Sequence, residues 1–179
     1  MTGKTIHRFF TISDFEKEED FLREQHRKGY ALEKFTGLSC YRFQKCEPKD
    51  VVYRLDYCGA EKGDKEEYIR MFQDYGWEYL FDRFGWSYFR KENTGDEDAE
   101  IFSDNSSRLA LVEKVFKTRM FPILILFFFC VLPQLFNSIP YYHGFLVLWV
   151  ACFAIYLYII IHCGLGFLRL KKKYQSPAQ

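Results

Sequence analysis

Hydrophobic and polar positions along this chain follow two regimes. Over the first 92 residues they change on short periods. Tyr41 and Phe43 fall on one side of a strand pattern, with Cys40, Arg42 and Gln44 on the other; Val51, Tyr53, Leu55 and Tyr57 likewise oppose Arg54 and Asp56. A period of two with one apolar side is the mark of a half-buried β-strand. Between the strand patterns stand two helix signals. The first opens at Ser13-Asp14-Phe15-Glu16, which has capping-box spacing, and stops at Gly29. The second opens at Asp64, carries Glu66 and Glu67 where the helix dipole favours acids, sets Tyr68, Ile69, Phe72 and Tyr75 along one face, and stops at Gly76. From Met120 to Leu168 the regime changes: no Asp, Glu, Lys or Arg occurs at all.

The first regime reads as one unit written twice. Phe21-Leu22-Arg23, Gly29-Tyr30, Gly37 and Tyr41-Arg42-Phe43-Gln44-Lys45 are answered by Tyr68-Ile69-Arg70, Gly76-Trp77, Gly85 and Tyr88-Phe89-Arg90-Lys91. The offset is 47 residues up to Tyr88, with a slip of one near the second glycine. Each copy predicts strand, helix, strand, strand. The expected fold is therefore α+β, a duplicated βαββ domain over residues 1–92. A six-stranded antiparallel sheet covered by two helices on one side is its expected arrangement, with the strand order left open.

The second regime is made for lipid. About 20 apolar residues cross a bilayer core as a helix, and the uncharged stretch accommodates two such spans, over about 121–136 and 145–168. Asn137-Ser138-Ile139-Pro140-Tyr141-Tyr142-His143-Gly144 supplies the turn of a transmembrane hairpin. Basic residues flank both spans: Lys117 and Arg119 before the first, Arg169, Lys171, Lys172 and Lys173 after the second. These are the expected membrane-interface anchors. Positive flanks stay in the cytoplasm, so the reading is a multi-pass cell-membrane protein with both termini cytoplasmic and its partner the lipid bilayer. Residues 93–107, rich in Asp and Glu, read as an acidic linker, 108–119 as a basic juxtamembrane helix, and 169–179 as a basic cytoplasmic tail. The overall charge of +1 gives no ground for nucleic-acid binding.

Chemistry adds little. Cys40, Cys46 and Cys58 have no zinc-type spacing, and a cytoplasmic domain is a reducing setting, so neither metal nor disulfide is expected. No nucleophile elbow, phosphate loop or metalloprotease motif occurs, and no cofactor is implied. His7 and His26 lack sequence neighbours that would make either a base and read as solvated or half-buried. His162 lies near the membrane interface, where a neutral imidazole is tolerated. The chain is thus read as not an enzyme. The aromatic side chains invite a different idea: Tyr53, Tyr57, Tyr79, Trp86 and Tyr88, with Trp77 and Phe81 nearby, can line a pocket for a flat or cationic ligand. A small domain also needs large rings to build a core.

Five motifs carry a family resemblance: His7-Arg8-Phe9-Phe10, Lys28-Gly29-Tyr30, Tyr53-Arg54-Leu55-Asp56-Tyr57, Tyr75-Gly76-Trp77-Glu78 and Tyr88-Phe89-Arg90-Lys91. Over about residues 5–110 the chain resembles an uncharacterised bacterial family in which a short aromatic-rich domain precedes transmembrane helices, often encoded beside PadR-type transcriptional regulators. The resemblance implies a regulatory setting but no reaction. The function expected is a membrane-anchored cytoplasmic binding or sensing module for a protein partner or small ligand, acting with a transcriptional regulator. The alternative is an accessory component of a small membrane transport system.

Overall fold

The computed structural model describes residues 3–37, 39–57, 65–93, 95, 105–133 and 143–175. The chain divides into two compact units, Met1–Asp104 and Asn105–Gln179. In the first, the order is β1 (Lys4–His7), α1 (Phe15–Arg27), β2 (Tyr30–Thr36), β3 (Cys40–Lys45), β4 (Val51–Tyr57), α2 (Lys65–Asp74), β5 (Glu78–Arg83) and β6 (Trp86–Glu92). This is βαββ twice. The strands form two antiparallel three-stranded sheets, β1-β3-β2 and β4-β6-β5, rather than the expected single sheet of six. Alternation settles which side of a strand is buried, not which strand lies beside it, and each copy closes its own sheet.

The duplication extends to detail. The register of β2 on β3 shifts between Leu32 and Lys34, and that of β5 on β6 between Tyr79 and Phe81, 47 residues on. The third strands are offset by 46, since Leu32 pairs with Phe43 and Tyr79 with Phe89. The missing residue is in the hairpin. Phe84 and Gly85, with φ of 49° and 80°, make a tight turn that the pair Arg83 and Trp86 closes. One residue of slip reverses the faces of a strand. Phe43 packs on Phe21 of α1, and its counterpart Phe89 packs on Phe72 of α2, whereas Tyr88 points to α1. Tyr88 is thus not the counterpart of Tyr41 that the aligned motifs suggest.

The helices are not equivalent either. On α1, Phe15, Glu18, Glu19, Phe21, Leu22, Gln25 and His26 are all buried, and they reach both sheets. On α2 only Phe72 is buried; it joins Val52, Trp77 and Phe89 in a cluster on the far side of the second sheet. That sheet is therefore covered on both faces, which corrects the expectation of helices on one side. Full burial of such side chains stabilises the fold by about 1.5–3 kcal/mol each. At the start of α1, Asp14 does not cap the helix by its side chain. Its carboxylate turns back to accept the N–H and hydroxyl of Thr11, so the expected capping box is not formed.

In the second unit α3 (Asn105–Val115) begins inside the stretch expected to be linker. It runs on through a π-helical turn (Phe116–Met120), α4 (Phe121–Leu126) and a second π-helical turn (Phe127–Val131). Beyond residue 142 comes α5 (His143–Gln175). The contacts Arg108 to Tyr174, Glu113 to Lys171, Phe116 to Phe167 and Phe127 to Tyr156 move in opposite directions along the two stretches, so they lie antiparallel. Only one described helix, over Val147–Gln175, is long and apolar enough to cross a membrane, and most of its side chains are exposed or half-buried. The expected first span is divided into short α and π segments, and 134–142, most of the expected turn, lie outside the described residues, as do 94 and 96–104 of the linker. One candidate span thus replaces the expected hairpin and multi-pass topology.

Candidate functional site

Glu18, Leu22 and His26 stand four residues apart, which stacks them along one line of α1. This line meets the seam between the two repeats. Glu18 Oε1 accepts the hydroxyls of Tyr41 from the first sheet and Tyr88 from the second, both at 2.7 Å. Arg83 approaches the same carboxylate at 3.9 Å, while its guanidinium stacks on Phe35, 3.2 Å from the ring centre. Next to it Glu19 accepts the Leu55 backbone N–H at 2.8 Å and an Arg54 guanidinium N–H at 3.3 Å. Two carboxylates on one helix thereby bind strands of both copies.

Burial sets the charge states. Desolvation raises the Glu18 carboxyl above its usual value against the pull of its hydrogen bonds and of Arg83. Burial beside that carboxylate pushes the Tyr41 and Tyr88 hydroxyls far above the ordinary phenol range, so both are fixed proton donors. At the other end of the line, burial lowers His26, helped by the positive charge of Arg90. Its Nδ1 lies 2.8 Å from the Tyr53 hydroxyl, which accepts the Leu32 backbone N–H at 3.3 Å. The buried phenol proton needs an acceptor, and Nδ1 beside it is one. This assigns the neutral ring with its own proton on Nε2.

His26 also lines a cleft of about 360 Å³ where the end of β3 approaches β6. Cavities of 300–1,000 Å³ hold small-molecule ligands. Charges of both signs surround this one. Arg90 makes two bonds of 2.7 Å to Glu78, Lys49 lies 3.4 Å from Glu92, and Lys91 donates to the Tyr75 carbonyl. Cys46, a free half-buried thiol, completes the wall. Such a lining suits a polar ligand with charges of both signs.

A family model described as "Protein of unknown function (DUF2812)" matches residues 14–126, from the start of α1 into the last residue of α4. The chain belongs to the DUF2812 family. No curated protein and no solved structure matches it. The DUF2812 stretch includes both βαββ copies except β1, and the α3–α4 segment that follows them, but not α5.

Within this DUF2812 fold the five aromatic residues singled out by the sequence do not converge on one pocket. Tyr53, Tyr57, Trp86 and Tyr88 are interior, each 7% exposed or less. Trp86 stacks on Phe15 and meets Tyr57 edge-on. Tyr79 is half-buried, packs on Phe89 on the α2 side and donates its hydroxyl to Asp82. Trp77 is in the α2 cluster, and Phe81 stacks on Tyr88. His7 is exposed at the end of β1. His26, expected to be solvated or half-buried, is buried. Cys40 is half-buried, Cys58 lies outside the described residues, and no three His, Cys, Asp or Glu among the described residues gather as metal ligands. His162 is on the exposed side of α5. Lys117, Arg119, Arg169, Lys171, Lys172 and Lys173 collect at one end of the antiparallel helices, opposite the end at His143.

Sequence reasoning missed Glu18, Glu19 and Arg83. A signal existed in the spacing of Phe15, Glu18, Leu22 and His26, which follows a buried stripe, although the helix dipole by itself accounts for acids in a first turn.

Proposed function

We propose that this DUF2812 chain is a membrane-anchored binding module. Its first unit takes a small charged or zwitterionic ligand, or a charged segment of a protein partner, in the cleft at His26. The cleft itself carries this reading, because it has ligand-scale volume, is lined from both repeats and carries ion pairs on its wall. Glu18, Glu19, His26 and Tyr53 are engaged within the fold, so their part is to hold the repeats in the register that forms the cleft. The anchor is α5, whose large apolar side chains, Val147, Leu148, Ile155, Tyr158 and Leu168 among them, face outward and need lipid to cover them. Tethering raises the local concentration of a captured partner at the membrane. A transcriptional regulator is the partner that the resemblance suggests. A role beside a transport system would act through α5, whose ionisable His162 faces outward rather than toward a neighbouring helix.

The test is site-specific photo-crosslinking of the full-length chain in native membranes. A crosslinking residue at Lys49, on the rim of the cleft, is expected to give a discrete adduct, and one at Arg42, on the exposed face of the first sheet, none. Equal adducts from both positions, or none from Lys49, overturn the assignment of the cleft.

A further inference from the structure

A second cavity lies wholly in the helical unit, between the α3–π segment and α5, with a volume of about 390 Å³. Its walls are apolar: Val112 and Phe116 on one side, Gly164 and Phe167 on the other. Phe116 meets Phe167 edge-on, with centres 5.6 Å apart. A Cβ added at Gly164 would meet nothing within 4 Å, so the glycine leaves the groove open where a larger side chain would fill it. Phe116 also begins the π-helical turn. Such turns insert a residue into the helical repeat and are frequent at functional sites.

Two lysines, Lys117 and Lys171, stand at its rim. Lys171 reaches Glu113 at 3.4 Å, on the surface. Lys117 is exposed and makes no ion pair among the described residues. The height of this groove along α5 matters. It begins at Gly164, inside the uncharged run, and ends at Lys171, beyond Arg169. An apolar slot with Lys117 and Lys171 at its rim, the second shared with the Glu113 carboxylate and the net charge there positive, at the edge of a lipid-length helix matches an acyl chain joined to an anionic head group. Basic pockets between membrane helices hold anionic phospholipid in this way.

We infer that this groove is a binding site for one anionic phospholipid, with an acyl chain over Gly164 and Phe167 and the phosphate between Lys117 and Lys171. The inference rests on the membrane reading of α5 and adds to it a specific lipid. No free phosphate meets the same requirements, because the apolar walls would remain uncovered.

Native mass spectrometry of the full-length chain in mild detergent, titrated with dioleoyl phosphatidylglycerol and separately with dioleoyl phosphatidylcholine, is the test. One tightly held phosphatidylglycerol is expected, with phosphatidylcholine bound more weakly. Each lysine near a membrane surface is worth about a fivefold change in binding of anionic lipid, so Lys117→Gln with Lys171→Gln should weaken the first site roughly 25-fold. Lys172→Gln with Lys173→Gln removes equal charge outside the groove and should leave that site nearly intact. Gly164→Leu, which keeps every charge, should also expel the lipid. Equal loss in the two lysine pairs means diffuse attraction and overturns the site. So does equal binding of the two lipids, retention of lipid by Gly164→Leu, or displacement by inorganic phosphate alone. Alkaline carbonate extraction separates the underlying claims. Release of the chain from membranes defeats the membrane reading itself, whereas retention without lipid preference defeats only the groove.

Discussion

Replacing Glu18 is the most direct perturbation of the seam between the repeats. One oxygen of this carboxylate accepts two tyrosine hydroxyls at 2.7 Å, and the residue is only 6% exposed. Glu18→Ala leaves both phenols buried without their acceptor. A stranded buried hydroxyl costs about 1–3 kcal/mol, so the variant should lose roughly 2–5 kcal/mol, a large part of a domain's typical stability of about 5–15 kcal/mol. Glu18→Gln keeps an oxygen in the same place and gives up mainly the attraction to Arg83, at a cost near ~1 kcal/mol at neutral pH. Acidity supplies a second readout. Because burial raises the Glu18 carboxyl, the folded chain holds this proton more tightly than the unfolded chain. Stability contributed by such a group is complete below the unfolded value and is lost as pH rises through the folded one. Wild type should therefore gain on Glu18→Gln as the solution is acidified from neutral pH toward the ordinary carboxyl range. Urea melts of the full-length chain in mild detergent, followed by the fluorescence of Trp77 and Trp86, measure both effects. An alanine variant within about 0.5 kcal/mol of wild type, or a gap to the glutamine variant that closes toward acid, would refute the assigned role of Glu18.

Four other outcomes are expected. Asp50 accepts hydrogen bonds from Arg23, Arg27 and Asn93, and the Arg23 and Arg27 guanidinium groups hold its carboxyl well below the usual range; this stability is present above the unfolded carboxylate value and lost below it. Asp50→Asn should thus cost about 1 kcal/mol at neutral pH, after allowance for solvent screening, and the difference should shrink below about pH 4; a difference that grows in acid contradicts this. Tyr57→Ala and Tyr88→Ala should each destabilise the first unit by about 3–5 kcal/mol in thermal melts, and unchanged melts would show that the rings are not core. Residues 1–104 expressed alone should give a dispersed amide spectrum, since both sheets and their helices close within that unit; a collapsed spectrum sets the boundary elsewhere. In a chain freed of its own cysteines, His143→Cys should react with an impermeant maleimide in intact cells and Gln175→Cys should not, the outcome the positive-inside rule predicts for the basic end of α5, and the reverse pattern inverts the anchor.

Much of the first unit was legible before any coordinates. The two glycine-stopped helices, the strand alternation and the 47-residue repeat follow from local chemistry that tertiary context does not override. What escaped depends on contacts between distant residues. Tyr41 and Tyr88 look like equivalents, yet a hairpin shorter by one residue turns Tyr88 to the opposite face, and no local pattern counts that residue. The burial of Glu18, Glu19 and His26 has no local signature, since the helix dipole alone accounts for acids in a first turn and their partners Tyr41, Leu55, Tyr53 and Tyr88 come from strands far along the chain. The first membrane stretch misled for another reason. Hydropathy registers the absence of charge and is blind to π-helical turns such as Phe127–Val131.

The division into two sheets has a mechanical meaning. Among the described residues no backbone ladder joins the repeats. The ties between them are side-chain contacts, most of them gathered on α1, with the Tyr53 hydroxyl on Leu32 and Arg83 on Phe35 beside them. A ladder breaks only by unzipping, but side-chain bonds can be exchanged one at a time while each sheet stays whole. A substitution at Glu18 or Glu19 therefore acts on the seam between the repeats and leaves the backbone ladder of each sheet untouched.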